Sequence, residues 1–434
     1  MAFRIGILGG GPAGLVSALA LERYAPSGIE VTLLDRNASE MDYPGVEYGI
    51  QERACRALHR IGVKEAALRR GQRNDEIAFY LARKKRVQGV VKTDPNWCVC
   101  VVRQEFLADL ASLLKTTTVV RRATVERIEP LPDGQVTLYC KSAAGEAACL
   151  HQFDCLIAAD GVNSIARKTF FPELARTNDR GFSCIYCLVE VKGEEAPPHF
   201  RALANGSRSE LIMGTFSTMT IFPMGQNRLA IGVGFDHTTR DRLWAEQGLP
   251  PGQEWASLAA EQKKAIAMGL AKDVPVYDSL LERLFDSFVP DWNSYKVYFW
   301  SMRDSDPLPV PYAASANVVL IGDAAHAFTP TIGMGASLAI EDAEMIAARM
   351  AEVAHRHSDP DRSRRAMRAE AFAPFGRARV PVWKDLMHRS RWAARGNFQR
   401  QHDRNRFAIA PQIPGYLPSR LIGAAEWVAD RLRL

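Results

Sequence analysis

The chain opens on an apolar run, Phe3–Leu8, which breaks into glycines over Gly9–Gly14 and resumes with helical spacing from Leu15 to Tyr24. A second β-rich run, Ile29–Leu34, ends at Asp35. Strand, turn, helix and strand in quick succession predict a βαβ unit. Further along, helices are predicted over Gln51–Ile61, closed by Gly62, and over Glu105–Leu114. Glu76–Val91 reads as a hairpin with the basic residues Arg83–Arg86 near its turn, and Val119–Val125, Gln135–Cys140 and Phe153–Ala159 read as strands. From Gly181 to Asp236 the pattern changes to strands without intervening helices, which predicts an antiparallel sheet. Trp255–Phe285 is largely helical, Tyr295–Trp300 and Ala316–Ile321 are short strands, and Gly335–Ala351 is a helix. Beyond Ala351 the pattern is helical and basic.

Composition narrows the class. The 434 residues are 47% hydrophobic and 24% charged, which fits a globular protein and excludes disordered, collagen-like and disulfide-scaffold chains. A net charge of +6 makes no whole-chain case for nucleic-acid binding. The excess is uneven: His355 to Arg406 holds fourteen Lys/Arg against five Asp/Glu. That segment reads either as a helical cap on the body or as a docking surface for a membrane, an acidic partner or a carrier-bound substrate. Partly helical spacing of Phe375, Val382, Trp383, Leu386 and Met387 favours packing. The eight cysteines are scattered, and on a strand Cys184 and Cys187 point to opposite faces, so the usage fits buried thiols in a reducing cytoplasm. Ile5–Leu21 is uncharged but short and glycine-rich, so no membrane span is expected. The nine histidines show no metal-ligand spacing and no triad, so no metal is expected.

Three motifs carry chemistry. The first is Gly9-x-Gly11-x-x-Gly14, with Pro12 and Ala13 inside it and Asp35 twenty-one residues past its last glycine. The glycines allow a tight turn, close approach of backbone to a pyrophosphate and packing of helix on strand, while the acid accepts hydrogen bonds from ribose hydroxyls. This predicts dinucleotide binding without choosing between NAD(P) and FAD. The second is Asp160-Gly161-Val162-Asn163-Ser164-Ile165-Ala166-Arg167, directly after a buried strand. The third is Gly322-Asp323-Ala324-Ala325-His326, continuing through Pro330 and Gly333 to Gly335. An acid at the carboxyl end of a buried strand lies in the crevice where open α/β sheets bind ligands.

In this order and at these distances the motifs resemble the FAD-dependent aromatic hydroxylase family, the group A flavoprotein monooxygenases, over roughly residues 1 to 390. The resemblance implies an α/β fold with a Rossmann-like FAD-binding domain, an inserted, mainly antiparallel β-sheet substrate domain and a C-terminal helical segment. The FAD-binding domain would comprise 1–75, 96–178 and 300–353. A hairpin over 76–95 would reach toward the substrate domain over 179–299, and 354–434 would form the basic helical segment. Implied cofactor-binding residues are Gly9, Gly11, Pro12, Ala13, Gly14, Asp35, Arg36, Arg103, Val125, Asp160, Asp323, Pro330, Gly335, Ala336 and Ser337. Asp323 would meet the flavin ribityl chain, Arg103 the phosphates or ribityl, Val125 the adenine, and the backbone amides of Gly335, Ala336 and Ser337 the pyrimidine edge. Met334, Gly335 and Ser337 depart from the residues many members carry there.

The implied reaction uses NADH or NADPH as transient reductant and O2 as co-substrate, with a flavin hydroperoxide hydroxylating a small aromatic or heteroaromatic ring. The flavin carries the chemistry, so no protein catalytic residue is identified. One glycine fingerprint, not two, separates the chain from two-domain disulfide reductases. Related flavoenzymes (an epoxidase, a halogenase or a double-bond reductase) remain alternatives, although the halogenase Trp-x-Trp-x-Ile-Pro stretch is absent. A non-catalytic FAD-binding regulator is a further one, opposed by intact Asp160 and Asp323. Substrate-side candidates are Tyr186, His199, Met213, Thr215, Thr220, Phe222 and His237. Tyr186, Met213 and Phe222 are taken as pocket walls, the two histidines as surface residues and His326 as structural. Thr218, Thr220 and Phe222 share one strand face. A cytoplasmic monomer or homodimer is expected.

Overall fold

The computed structural model describes residues 2–398, apart from 26, 82–85, 93–97, 142–148, 215–216, 251, 273–279, 290, 295 and 358. Arg83, Thr215, Tyr295 and the basic segment 399–434 therefore lie outside the described residues.

Phe3–Leu8 is buried on both faces, as a central strand must be, and it pairs in parallel with Ile29–Leu34 on one side and Cys155–Ala158 on the other. Thr118–Val120 and Val318–Leu320 complete a five-stranded parallel sheet. Its register aligns Leu8 with Leu34 and Ala158, and Ala158 with Leu320. The carboxyl ends of four strands thus open on one edge, and the three motifs follow those ends. Two helices, Pro12–Tyr24 and Gly335–Arg356, pack together over the sheet. Gly322 sits where they meet, at φ +56, and a Cβ there would lie 3.2 Å from Ala339 Cβ and 3.4 Å from Ala13 Cβ.

A second sheet has seven strands in the order Val297–Asp304, Asn178–Glu190, Arg228–Asp236, Ser217–Pro223, Arg208–Met213, Glu76–Leu81 and Arg86–Lys92. Its pairings are antiparallel except that Arg208–Met213 runs parallel to Glu76–Leu81, which is where the early hairpin joins. One face packs a core against the helices Pro198–Asn205, His237–Glu246, Ala260–Ala271 and Leu280–Ser287. Cys187 belongs to that core and Cys184 to the other face, as strand alternation requires.

Two sequence expectations are corrected. The predicted strand Val119–Val125 is two strands, Thr118–Val120 and Thr124–Pro130, lying in different sheets. The break is at Arg122, which adopts φ +57 and so cannot continue a strand. The run from Gly181 to Asp236 is not helix-free: Pro198–Asn205 is a helix that buries Phe200, Leu203 and Ala204 along one side.

The described part of the basic C-terminal segment packs on the body. Pro360–Met367 leads through a π-helical turn, Arg368–Phe372, into the helix Ala373–Phe398. Phe372, Phe375, Trp383, Leu386 and Met387 enter the core beneath the parallel sheet, whereas Val382 is only partly buried. Among the described residues no helix is long and apolar enough to cross a membrane.

Candidate flavin and substrate site

A cavity of about 1270 Å³ runs from the carboxyl edge of the parallel sheet to the open face of the seven-stranded sheet. The glycine turn forms one wall, and its three glycines differ in what they meet. A Cβ on Gly14 would lie 1.8 Å from Gly9 O, and one on Gly9 2.5 Å from Ala159 O. These two are small because protein backbone crowds them. Gly11 has φ −75, and its Cβ would meet only Tyr43 Cε1, at 3.9 Å. Its open side faces the cavity. The helix behind it starts at Pro12 with no acidic residue in its first turn, so its N-terminal amides and dipole favour an anion.

Asp35, Arg36 and Val125 lie at one end of the cavity. Asp35 is buried and accepts from Asn37 N (3.2 Å), Tyr43 Oη (2.9 Å) and Arg121 Nη1 (3.0 Å). Burial nevertheless outweighs these donors and holds its carboxyl above the ordinary value. At the centre, Asp160 accepts from Ser164 Oγ (2.6 Å) and Ile165 N (2.7 Å), which fixes the start of the helix Ile165–Phe170. Arg167 turns inward and donates to the carbonyls of Ala324 (3.2 Å) and Ala325 (3.0 Å), tying the second motif to the third.

Asp323 has no hydrogen-bond or ion-pair partner among the described residues, and its exposed surface opens into the cavity. Burial raises its carboxyl despite His326 and Arg103 nearby. Arg103 lies over the Tyr48 ring at 4.9 Å, and its Nε is buried without a partner among the described residues. Pro330, Gly335 and Ala336 line the same stretch. His326 is structural: its Nε2 lies 2.6 Å from Asp342 Oδ2, and its ring packs on Trp383.

At the far end Tyr186 and Phe222 form walls, with Thr218 and Thr220 on the face that alternation predicts. Tyr186 fits because it opposes Gly232, where a Cβ would approach Tyr186 Cε1 to 2.4 Å.

Three expected residues do not reach the wall. Met213 is buried, and the wall on that strand ends at Leu211. Gly14 serves the packing of helix on strand. Ser337 is fully buried; its hydroxyl accepts from Gln51 N and donates to Gly49 O, both at 3.0 Å. His199 is on a helix with its Nε2 3.3 Å from Glu210 Oε2, and His237 is half-buried, 3.8 Å from Asp179; neither lines the cavity.

Sequence reasoning missed Tyr43, Glu47 and Tyr48, on the segment before Gln51, and Tyr298, Trp300 and Met302 on the edge strand. Glu47, an acid in a four-residue strand otherwise holding Tyr48, Gly49 and Ile50, was the available signal in the first group. An open Gly11, an unpartnered Asp323 and an orphaned Arg103 Nε together fit a ligand with phosphates and a polyhydroxylated chain, as FAD has.

Comparison with known proteins agrees. A family model described as "FAD binding domain" matches residues 3–247 and 308–370. The FAD-dependent monooxygenase SAT7 of Stachybotrys chartarum is 24% identical over 79% of this chain and 73% of its own length. The 6-hydroxynicotinate 3-monooxygenase of Pseudomonas fluorescens is 25% identical over 82% and 84%. Among solved structures, Klebsiella pneumoniae HpxO complexed with FAD and uric acid superposes with a TM-score of 0.73 at 18% identity, covering 99% of this chain and 96% of that one. The chain therefore belongs to the FAD binding domain family and is an FAD-dependent monooxygenase of the aromatic hydroxylase type.

Proposed function

We propose that the chain uses NADH or NADPH to reduce its FAD and transfers one atom of O2 to a small aromatic or heteroaromatic ring held against the seven-stranded sheet. The observation that carries this is the continuity of one cavity from the Gly9–Gly14 turn to Tyr186 and Phe222. FAD, when bound, supplies the redox and oxygen chemistry, so the protein needs no nucleophile of its own.

The residues bind and orient. The Gly11 backbone and the first amides of the following helix receive a phosphate, and Arg103 supplies a cation. Asp323 accepts hydrogen bonds from the ribityl hydroxyls. Asp35, Arg36 and Val125 hold the adenosine end, and Asp160 fixes the loop beside it. Pro330, Gly335 and Ala336 border the ring system. Tyr186, Phe222, Phe79 and Trp300 give the substrate end an aromatic lining, which suits a flat ring and excludes water from the reacting centre. The naming of one relative for 6-hydroxynicotinate, and uric acid in a fold neighbour, support a heteroaromatic substrate.

The test follows NADH and NADPH oxidation and peroxide release by FAD-loaded protein in air, with phenols, anilines, indoles, quinolones and purines added. One ring should accelerate oxidation, release little peroxide and gain sixteen mass units, the mass of one oxygen atom. Bound FAD with no ring that stimulates oxidation would defeat the proposal.

A further inference from the structure

The substrate end of the cavity contains one carboxyl group that no described residue satisfies. Glu47 begins the strand Glu47–Ile50, which pairs antiparallel to Val99–Val102 with Glu47 opposite Val102. Its side chain lines the cavity and has no hydrogen-bond or ion-pair partner among the described residues. The titratable groups that feel it are Cys100 on the paired strand and Cys184 and Tyr186 on the seven-stranded sheet. Burial raises all three, so they are neutral at ordinary pH. Arg103, which lines the same cavity as Lys92, stacks over Tyr48 and Tyr43 and acts on Tyr48, Tyr298 and Asp323.

An ionised carboxylate without a counter-ion is costly in such surroundings. Burial alone pushes Glu47 up to about 8. At neutral pH the group is a carboxylic acid carrying one O–H donor. It acts on Tyr186, whose ring lies against Gly232. A donor aimed into a ligand cavity and left without a protein acceptor needs one on the ligand.

We propose that Glu47 donates a hydrogen bond to an acceptor on the ring substrate, a ring carbonyl oxygen or an unprotonated ring nitrogen, and so selects neutral heteroaromatic substrates over aromatic carboxylates. This rests on the monooxygenase reading above and specifies its substrate class. An aromatic carboxylate placed against Glu47 would meet Cys100, Cys184 and Tyr186, none of them a cation. Glu47 is a positioning and selecting group here, because a protonated acid accepts no proton from the ring.

The test uses FAD-loaded wild type, Glu47→Gln and Glu47→Leu, titrated with 4-quinolone and with 1-naphthoate while the flavin absorption change is followed from pH 6.5 to 9.5. Ionisation of Glu47 near pH 8 should weaken 4-quinolone binding to wild type roughly thirtyfold across that range. Glu47→Gln keeps a donor and should bind with no such pH dependence, and Glu47→Leu should bind weakly throughout. The proposal is overturned if Glu47→Gln follows the wild-type profile, if 1-naphthoate binds wild type more tightly than 4-quinolone at pH 6.5, if neither ligand perturbs the flavin, or if Glu47→Gln loses its FAD. A chain that shows the expected binding profile but oxidises no NADH or NADPH with any ring keeps Glu47 in its role and defeats the monooxygenase reading. A chain that hydroxylates rings while Glu47→Gln keeps the wild-type binding profile does the reverse.

Discussion

Gly11 and Gly14 stand three residues apart and should fail in different ways. A side chain at Gly14 meets the carbonyl oxygen of Gly9 at 1.8 Å, so Gly14→Ala must shift backbone and should cost about 3 kcal/mol or more of stability. Gly11 has ordinary backbone angles and open space toward the cavity. Gly11→Val should therefore fold to within about 1 kcal/mol of wild type and purify without FAD. Urea denaturation and the ratio of flavin to protein absorbance separate the two, and a fully flavinated Gly11→Val would take the pyrophosphate away from this turn. The glycine spacing was legible in the sequence because the motif is local. The division of labour among the glycines was legible too: packing of helix on strand falls to Gly14, which meets Gly9, and approach to the ligand to Gly11, which is open. Glu47 showed in the sequence only as an acid in a short strand; what makes it unusual is its lack of partners in space, which no local pattern carries.

Among the elements, the helix Ala373–Phe398 reaches several of the site's loops. Its Arg379 meets Asp342 at 2.6 Å and Glu341 at 2.9 Å, Ser390 meets Thr329 at 2.6 Å, and Arg391 meets Asp304 at 3.0 Å. One helix thus ties the loop around His326 and Pro330 to the edge strand of the seven-stranded sheet. Burial pushes Asp342 and Asp304 up, but Arg379 with His326, and Arg391 with Arg180, outweigh it and hold both carboxyls below the ordinary value. Because the folded values are depressed, this stabilisation is present above the unfolded value of about 3.9 and is lost as pH falls through the folded values. Arg379→Ala removes the guanidinium that the buried Asp342 and Glu341 share and should cost about 3–5 kcal/mol at pH 7, with a smaller difference from wild type in strong acid. A loss below 1 kcal/mol in urea denaturation at pH 7 would mean the helix is not held by these pairs. The amphipathic spacing of Phe375, Trp383 and Leu386 had indicated packing. The ion pairs are not legible in the sequence, since an arginine in a basic helix reads as solvated until its partners are placed.

Across the whole molecule, two hydrophobic cores flank one cavity, and residues from both sheets line it. A ligand spanning it couples the two halves. FAD at a hundred times its dissociation constant should stabilise the fold by about 2.7 kcal/mol. The fluorescence of Trp244, Trp255 and Trp292, which sit in the core of the seven-stranded sheet, should report that shift although none of them lines the FAD end. Asp323→Ala should lose most of the shift along with its flavin. An unchanged tryptophan transition on adding FAD to wild type would show that the halves unfold independently.

The opening βαβ unit, the three motifs at strand ends and the change from βαβ to strand-rich pattern all lie in stretches of a few dozen residues, and the sequence by itself determined them. Hydrophobic periodicity and glycine placement act through local backbone geometry, so they are visible along the chain. The tertiary structure alone decided the parallel pairing of Glu76–Leu81 with Arg208–Met213, the breaking of one predicted strand at Arg122, the withdrawal of Met213 and Ser337 from the wall, and the arrival of Glu47 at the substrate end. Each of these depends on which distant residues pack together, and burial, hydrogen-bond partnership and charge compensation are set by those neighbours in space.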